Sequence, residues 1–210
     1  MAFVFYKRSY SSSLTSKLSF MTLPFINDKT FTGKNYTEKN LPKAEYDNCT
    51  FINFNFTESY ISNINFLDCE FIDCNLSMVK FKNATLKDVV FNNCKLVGFP
   101  FQDCNPFLMS IHFINSQLYL SSFYNLKIKT TTFDTCNLEQ TDFTNTDLSG
   151  SKFINCNLFK TIFDQSILEN VDFTTALNIS INPEQNRLKN AQFSKENAIG
   201  LLTHYQIDIN

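Results

Sequence analysis

The stretch Cys136-Asn137-Leu138-Glu139-Gln140, Thr141-Asp142-Phe143-Thr144-Asn145, Thr146-Asp147-Leu148-Ser149-Gly150 says the same thing three times. Each block of five has a small residue, then Asn or Asp, then Leu or Phe, then two polar residues or Gly. A plain strand repeats every two residues and a helix every 3.6, so a period of five is neither. Fixed-period self-similarity of this kind marks a solenoid, in which each unit buries its apolar side against its neighbours.

The period extends over most of the chain. From Phe31, steps of five reach Tyr36, Leu41, Tyr46, Phe51, Phe56, Ile61, Phe66, Phe71, Leu76, Phe81, Leu86, Phe91, Leu96 and Phe101, every one apolar or aromatic. The register slips by two near Asn105-Pro106, where a bulge or corner loop is expected. It resumes at Phe113 and runs through Leu118, Phe123, Ile128, Phe133, Leu138, Phe143, Leu148, Phe153, Leu158, Phe163 and Leu168 to Phe173. Two residues before each large residue stands a smaller one, such as Cys49, Ser59, Cys69, Ala84, Ser116, Thr131 or Cys156. Side chains two apart on extended backbone share a face, so both slots point inward and the other three face water.

From Phe113 to Phe173 the large slot alternates Phe with Leu or Ile. A three-sided coil would mix the two types in every column; a four-sided coil of twenty residues stacks like on like. The expected columns are Phe31, Phe51, Phe71, Phe91, Phe113, Phe133, Phe153 and Phe173 on one side, and Phe81, Phe101, Phe123, Phe143 and Phe163 opposite. Each buried ring or Leu contributes on the order of 2 kcal/mol.

These blocks, with Cys156-Asn157-Leu158-Phe159-Lys160, resemble the pentapeptide-repeat family, whose unit runs Ala-Asp/Asn-Leu/Phe-X-X. The likeness covers about residues 29–193 and resembles the bacterial quinolone-resistance-type members. It implies an all-β solenoid, a right-handed quadrilateral parallel β-helix with a short C-terminal capping helix. This sequence departs at the small slot, where Cys, Ser, Thr and Val replace most of the Ala; those residues are also small. The expected organisation is a flexible N-terminal arm at 1–28, the β-helix at 29–193, and a capping or dimerisation element at 194–210. Residues 1–20 are Ser-rich, basic and free of acid, which admits either a transit peptide or an arm upstream of Met21.

In the tail, Ser194 suits an N-cap and Glu196 a first turn. Ala198, Ile199, Leu201, Leu202 and Tyr205 form an apolar stripe at helical spacing. Ile207 and Ile209 alternate with polar residues and fit a final strand. The resemblance implies that this element pairs two rods into a homodimer, with Ala198, Ile199, Leu201, Leu202, Tyr205 and Ile207 as the contact; a cap that covers the last coil is the other reading.

The 210 residues include 24 Phe, no Trp and a net charge of −2, too mild for binding nucleic acid directly by bulk electrostatics. No run of about 18 apolar residues exists, so no membrane partner is expected. The seven cysteines fall in the small slot or its register equivalent and behave as small buried hydrophobes. Their odd number and the scarcity of His argue against a metal site, no cofactor is expected, and a free-thiol core suits a reducing cytoplasm. His112, outward beside Phe113, has no evident base partner, and no phosphate loop or nucleophile elbow is present. An enzyme is not expected.

Charge is the remaining signal. Residues 31–180 carry −5, and the C-terminal half concentrates Asp134, Glu139, Asp142, Asp147, Asp164, Glu169 and Asp172 in outward slots. Two readings remain open for them: a solvated surface, or an acidic face for a partner. The resemblance implies a non-enzymatic DNA mimic that binds a type II topoisomerase, DNA gyrase or topoisomerase IV, and protects it from quinolones or toxins. The alternative is a structural interaction scaffold with an unrelated partner.

Overall fold

The computed structural model describes residues 23–33, 35–37 and 41–208. Most of the expected arm lies outside the described residues. Its last part does not: Phe25–Asn27 is already a strand, paired in register with Glu45–Asp47, so the first coil starts before residue 29.

The chain is an all-parallel, right-handed quadrilateral β-helix. Strands are short because each side of the coil gives one five-residue unit and then turns a corner. The sides with three or more bonded residues are β1 (Phe25–Asn27), β2 (Thr30–Thr32), β3 (Glu45–Asp47), β4 (Thr50–Ile52), β5 (Tyr60–Ser62), β6 (Asn65–Leu67), β7 (Glu70–Ile72), β8 (Lys80–Lys82), β9 (Thr85–Lys87), β10 (Val89–Asn92), β11 (Ile111–Ile114), β12 (Thr132–Asp134) and β13 (Lys152–Ile154). The longest sheet, β2-β4-β7-β10-β11-β12-β13, is the side that carries the Phe31 column, called here the first side. The second, third and fourth sides follow in chain order, through Leu138, Phe143 and Leu148. They are held by β1-β3-β6-β9, β5-β8 and a series of single parallel bridges such as Asn137↔Asn157 and Asp142↔Ile162.

Backbone bonds run from coil to coil: Leu118 N–H donates to Asn137 O at 2.8 Å and Leu138 N–H to Asn157 O at 2.9 Å. Corners are made by the fifth residue of each unit, which sits in the left-handed region at Asn53, Asn63, Asp73, Asn83, Asn93 and their equivalents. Asn and Asp tolerate that conformation best after Gly, which explains their frequency in that slot. The Asn or Asp before the large residue has a second job. Asn55, Asn75, Asn137 and Asn157 each accept the backbone N–H two residues on, at 3.1–3.2 Å, and so shape the turn.

The two expected Phe columns are present. On the first side successive rings stack from Phe31 to Phe193, with centroids 5.1 Å apart for Phe31–Phe51 and 4.9 Å for Phe133–Phe153. On the third side Phe101, Phe123, Phe143 and Phe163 stack likewise. The columns meet edge to face across the core, Phe133 and Phe143 being 5.8 Å apart at 81°. That is the arrangement ring quadrupoles favour.

One pairing differs from the sequence reading. Phe81 packs on Phe99 at 4.9 Å with the rings tilted 46°, while Phe101 lies against Phe99 at 4.1 Å and continues to Phe123. A 3₁₀ turn at Phe101–Asp103 lets both rings enter the core. The slip itself lies just beyond. Thr85 pairs with Asn105 but Val89 with Ile111, so residues 106–109 hold two more residues than the coil below. Met109 fills the core there, while Phe107 and Leu108 are 71% and 62% exposed.

The tail is not the α-helix and strand its pattern suggests. Asn197–Leu201 and Thr203–Tyr205 are 3₁₀ turns, and Ile207 and Asp208 form no strand; Ile209 lies outside the described residues. Ser194 does act as a cap, its Oγ accepting the Asn197 N–H at 3.1 Å. The tail is pinned to the last coil by other groups. Asn197 Nδ2 donates to Phe173 O at 2.9 Å, Gly200 O accepts the Ile181 N–H at 3.2 Å, and a Cβ at Gly200 would lie 2.3 Å from Ile179 O. Close approach of two backbones at Gly200 sets the path.

Candidate functional site

The seven carboxylates do not share one face. Asp134 and Asp172 flank the first side, Glu139 the second, Asp142 and Asp164 the third, Asp147 and Glu169 the fourth. They girdle the C-terminal half of the rod. Nor do all point freely outward. Asp142, Asp147 and Asp172 occupy the turn-shaping slot, and each accepts the N–H two residues on, from Thr144, Ser149 and Thr174, at 2.9, 3.1 and 2.9 Å. Asp147 is buried, because Lys129, one coil below, reaches it at 3.1 Å. Burial pushes the Asp147 carboxyl up, but the Ser149 bonds and the Lys129 ammonium outweigh it and hold the group below the usual carboxylate range. Glu169 pairs with Arg187 at 2.6 Å, and Asp134 accepts the Thr135 hydroxyl at 2.9 Å. Six of the seven are half-buried. The sequence placed them in the right slots; it did not separate turn-building carboxylates from others.

At the C-terminal end Ile199, Leu202, Tyr205 and Ile207 are exposed, whereas Ala198 and Leu201 are partly buried and Leu201 packs on the core. The Tyr205 hydroxyl donates to Glu184 at 3.0 Å.

All seven cysteines are buried free thiols. Cys69 is pushed up to about 12 by burial, and burial also raises Cys104. His112 has a structural partner: its Nδ1 accepts the Thr132 N–H at 3.1 Å. Among the described residues no three His, Cys, Asp or Glu side chains converge as metal ligands would, and no helix is long and apolar enough to cross a membrane.

A surface that slot analysis missed lies along the edge between the second and third sides. Val97, Tyr119, Glu139 and Phe159 stack in one column, as the bonds Gly98 N–H to Tyr119 O and Gln140 N–H to Phe159 O show. Beside them run Met78, Gly98 and Leu120, then Tyr60, Lys80, Pro100, Ser122, Asp142 and Ile162. Tyr60, Met78, Leu120, Phe159 and Ile162 are 45–59% exposed on this edge. Met78 and Leu120 hold the corner slot at φ 55° and 59°, the slot that Glu58, Gly98, Gln140 and Lys160 fill in the coils around them. Large apolar side chains left in solvent on one edge mark a surface a partner could cover. The signal was available in the sequence: large apolar residues in outward slots. Their meeting on one edge was not, since that needs the phase between coils.

Two family models match the chain: Pentapeptide repeat region over residues 44–107, and Pentapeptide repeats (8 copies) over residues 136–174. Among solved structures, a trypsin-treated variant of QnrB1, a plasmid-mediated fluoroquinolone resistance protein, has a TM-score of 0.68 at 16% identity, covering 90% of this chain and 92% of that one. Full-length QnrB1 gives 0.56 at 15%, covering 87% and 100%. HetL, a pentapeptide repeat protein involved in heterocyst differentiation regulation from the cyanobacterium Nostoc, gives 0.46 at 12%, covering 82% and 86%. No curated protein matches the sequence. Identities this low are likenesses of fold.

Proposed function

Because this chain is a pentapeptide-repeat protein, we propose that it works as a rigid, non-catalytic rod that binds another protein, and that the partner is a type II topoisomerase such as DNA gyrase. The observation that carries the binding reading is the exposed apolar edge from Tyr60 through Met78 and Leu120 to Ile162, with Glu139 and Asp142 set within it. An edge of this kind supplies apolar anchors for a partner, flanked by charges of both signs, Glu139 and Asp142 beside Lys80 and Lys160. The choice of topoisomerase rests on the likeness to QnrB1, a fluoroquinolone resistance protein, along nearly the whole rod.

A second mode is favoured by the girdle of carboxylates. Turn bonds hold several of them in place, so a rod with charge on all four sides presents a fixed, duplex-like field to a DNA-binding surface. The two modes separate in one experiment. Gyrase supercoiling is measured with and without a quinolone, adding wild type, a charge variant (Asp134→Asn, Glu139→Gln, Asp142→Asn, Asp164→Asn) or an edge variant (Tyr60→Ser, Leu120→Asn, Ile162→Thr). Asp147 is left intact because it supports the fold. Loss of the effect in the charge variant alone selects the DNA-mimic mode; loss in the edge variant selects edge docking. No effect of wild type at micromolar concentration refutes the topoisomerase as partner and leaves the scaffold reading, to be followed by pull-down.

We also propose that Ile199, Leu202, Tyr205 and Ile207 pair two rods end to end, since they are the exposed apolar residues of the capping end. Sedimentation of wild type against Ile199→Asp tests this; a monomer at all concentrations refutes it.

A further inference from the structure

The small inward slot of the second side holds Cys74 and Cys94 on adjacent coils, and these two thiols are placed alike. Cys74 Sγ donates to Phe51 O and Ile72 O, both at 3.3 Å; Cys94 Sγ donates to Phe71 O at 3.2 Å and Asn92 O at 3.4 Å. Each thiol reaches the carbonyl two residues before it and the one 23 residues before it. The rotamers are therefore the same, and the sulfurs are separated by one step of the coil, about 4.8 Å. Two metal–thiolate bonds of about 2.3 Å laid end to end span roughly the same distance. We propose that Cys74 and Cys94 form a binding site for one two-coordinate soft d¹⁰ cation, held linearly between the two sulfurs.

Other occupants fit worse. A disulfide needs the sulfurs about 2.05 Å apart, which would require turning both side chains out of their carbonyl bonds. Zinc takes four ligands, and among the described residues no third His, Cys, Asp or Glu converges here. Soft thiolates select soft ions. Binding breaks two S–H bonds and forms two S–metal bonds, and two protons leave to solvent. A divalent ion such as Hg²⁺ then leaves a neutral unit, which a buried slot tolerates far better than a net charge.

An adjoining surface groove distinguishes this pair. Cys49–Cys69 makes the same set of bonds on the first side, and Cys156 does so above Cys136 on the second. Residues Cys74 and Cys94 border a surface groove of about 440 Å³ lined also by Asp73, Asn93, Lys95 and Gln117, with both thiols buried. The slot also tolerates an oxygen: Ser116, the next rung, makes the same two bonds, to Phe91 O at 3.2 Å and Ile114 O at 2.9 Å. Serine variants should therefore fold.

The test titrates the reduced full chain with HgCl₂ in excess glutathione, removes small thiols by gel filtration, and measures the mercury retained per chain beside the circular dichroism of the β-helix. Wild type is expected to retain a first equivalent and keep its fold, the two protein thiol protons passing to the two glutathione thiolates displaced from the metal. Cys74→Ser and Cys94→Ser should lose the two-thiol advantage over glutathione, about 100-fold or more by effective-concentration arithmetic. Cys136→Ser should keep that first equivalent. No uptake by wild type, unchanged uptake in Cys94→Ser, equal loss in Cys136→Ser, or unfolding on binding would each overturn the proposal.

Discussion

Replacing Phe133 by Ala is the sharpest probe of the column that holds the rod together. Phe133 is fully buried, stacks at 5.1 Å on Phe113 and 4.9 Å on Phe153, and meets Phe123 and Phe143 edge-on at 6.0 and 5.8 Å. Truncating a buried Phe costs about 3–5 kcal/mol, and the backbone rungs on either side limit collapse into the cavity. The expected loss is therefore at the upper end, about 4–5 kcal/mol. For a chain of this size each kcal/mol moves the melting temperature by roughly 2–4 °C, so a drop of about 8–20 °C should follow. Phe193 is the internal comparison. It ends the same column, is only partly buried, and stacks on Phe173 alone, at 5.2 Å. Phe193→Ala should cost roughly half as much or less, because in a solenoid each rung draws stability from both neighbours. Urea unfolding of both variants by circular dichroism measures the pair. A loss below about 2 kcal/mol at Phe133, or equal losses at the two positions, would refute a cooperative ring column as the main support.

Three further outcomes are expected. Leu120→Asn should leave the fold intact or stabilise it by up to about 1 kcal/mol, since Asn suits the left-handed corner, while partner binding falls; surface plasmon resonance against gyrase, beside thermal melting, reads both. Gly200→Ala should lift the tail from Ile179 and lower stability by about 1–3 kcal/mol, with reduced self-association on sedimentation. The Asp147 carboxyl lies below its ordinary range when folded. Its contribution is therefore present above about pH 4 and fades as pH falls through the folded value. The stability gap between wild type and Asp147→Asn should close on acidification, and a gap constant from pH 7 to 2 would contradict the Lys129–Asp147 pairing.

The sequence by itself determined the parts that repeat. The period of five, the inward slots, the four-sided coil and the Phe31–Phe173 column all follow from hydrophobicity at fixed spacing, and burial enforces that pattern at every rung. It also placed every cysteine correctly, because a small inward slot is a local property. Only the tertiary structure decided what depends on how one coil sits on the next. A 3₁₀ turn at Phe101–Asp103 lets Phe81 meet Phe99, and the two extra residues within 106–109 set the phase in which Tyr60, Met78, Leu120 and Ile162 share an edge although they span over a hundred residues of chain. Asp147 reads as one more outward carboxylate until Lys129 is stacked beneath it. The tail carries a helical stripe, yet it forms 3₁₀ turns docked on the last coil, with Gly200 packed close on Ile179. Inward slots are specified by each unit alone; outward neighbours and the cap are specified only by the coil-to-coil register, which no single repeat contains.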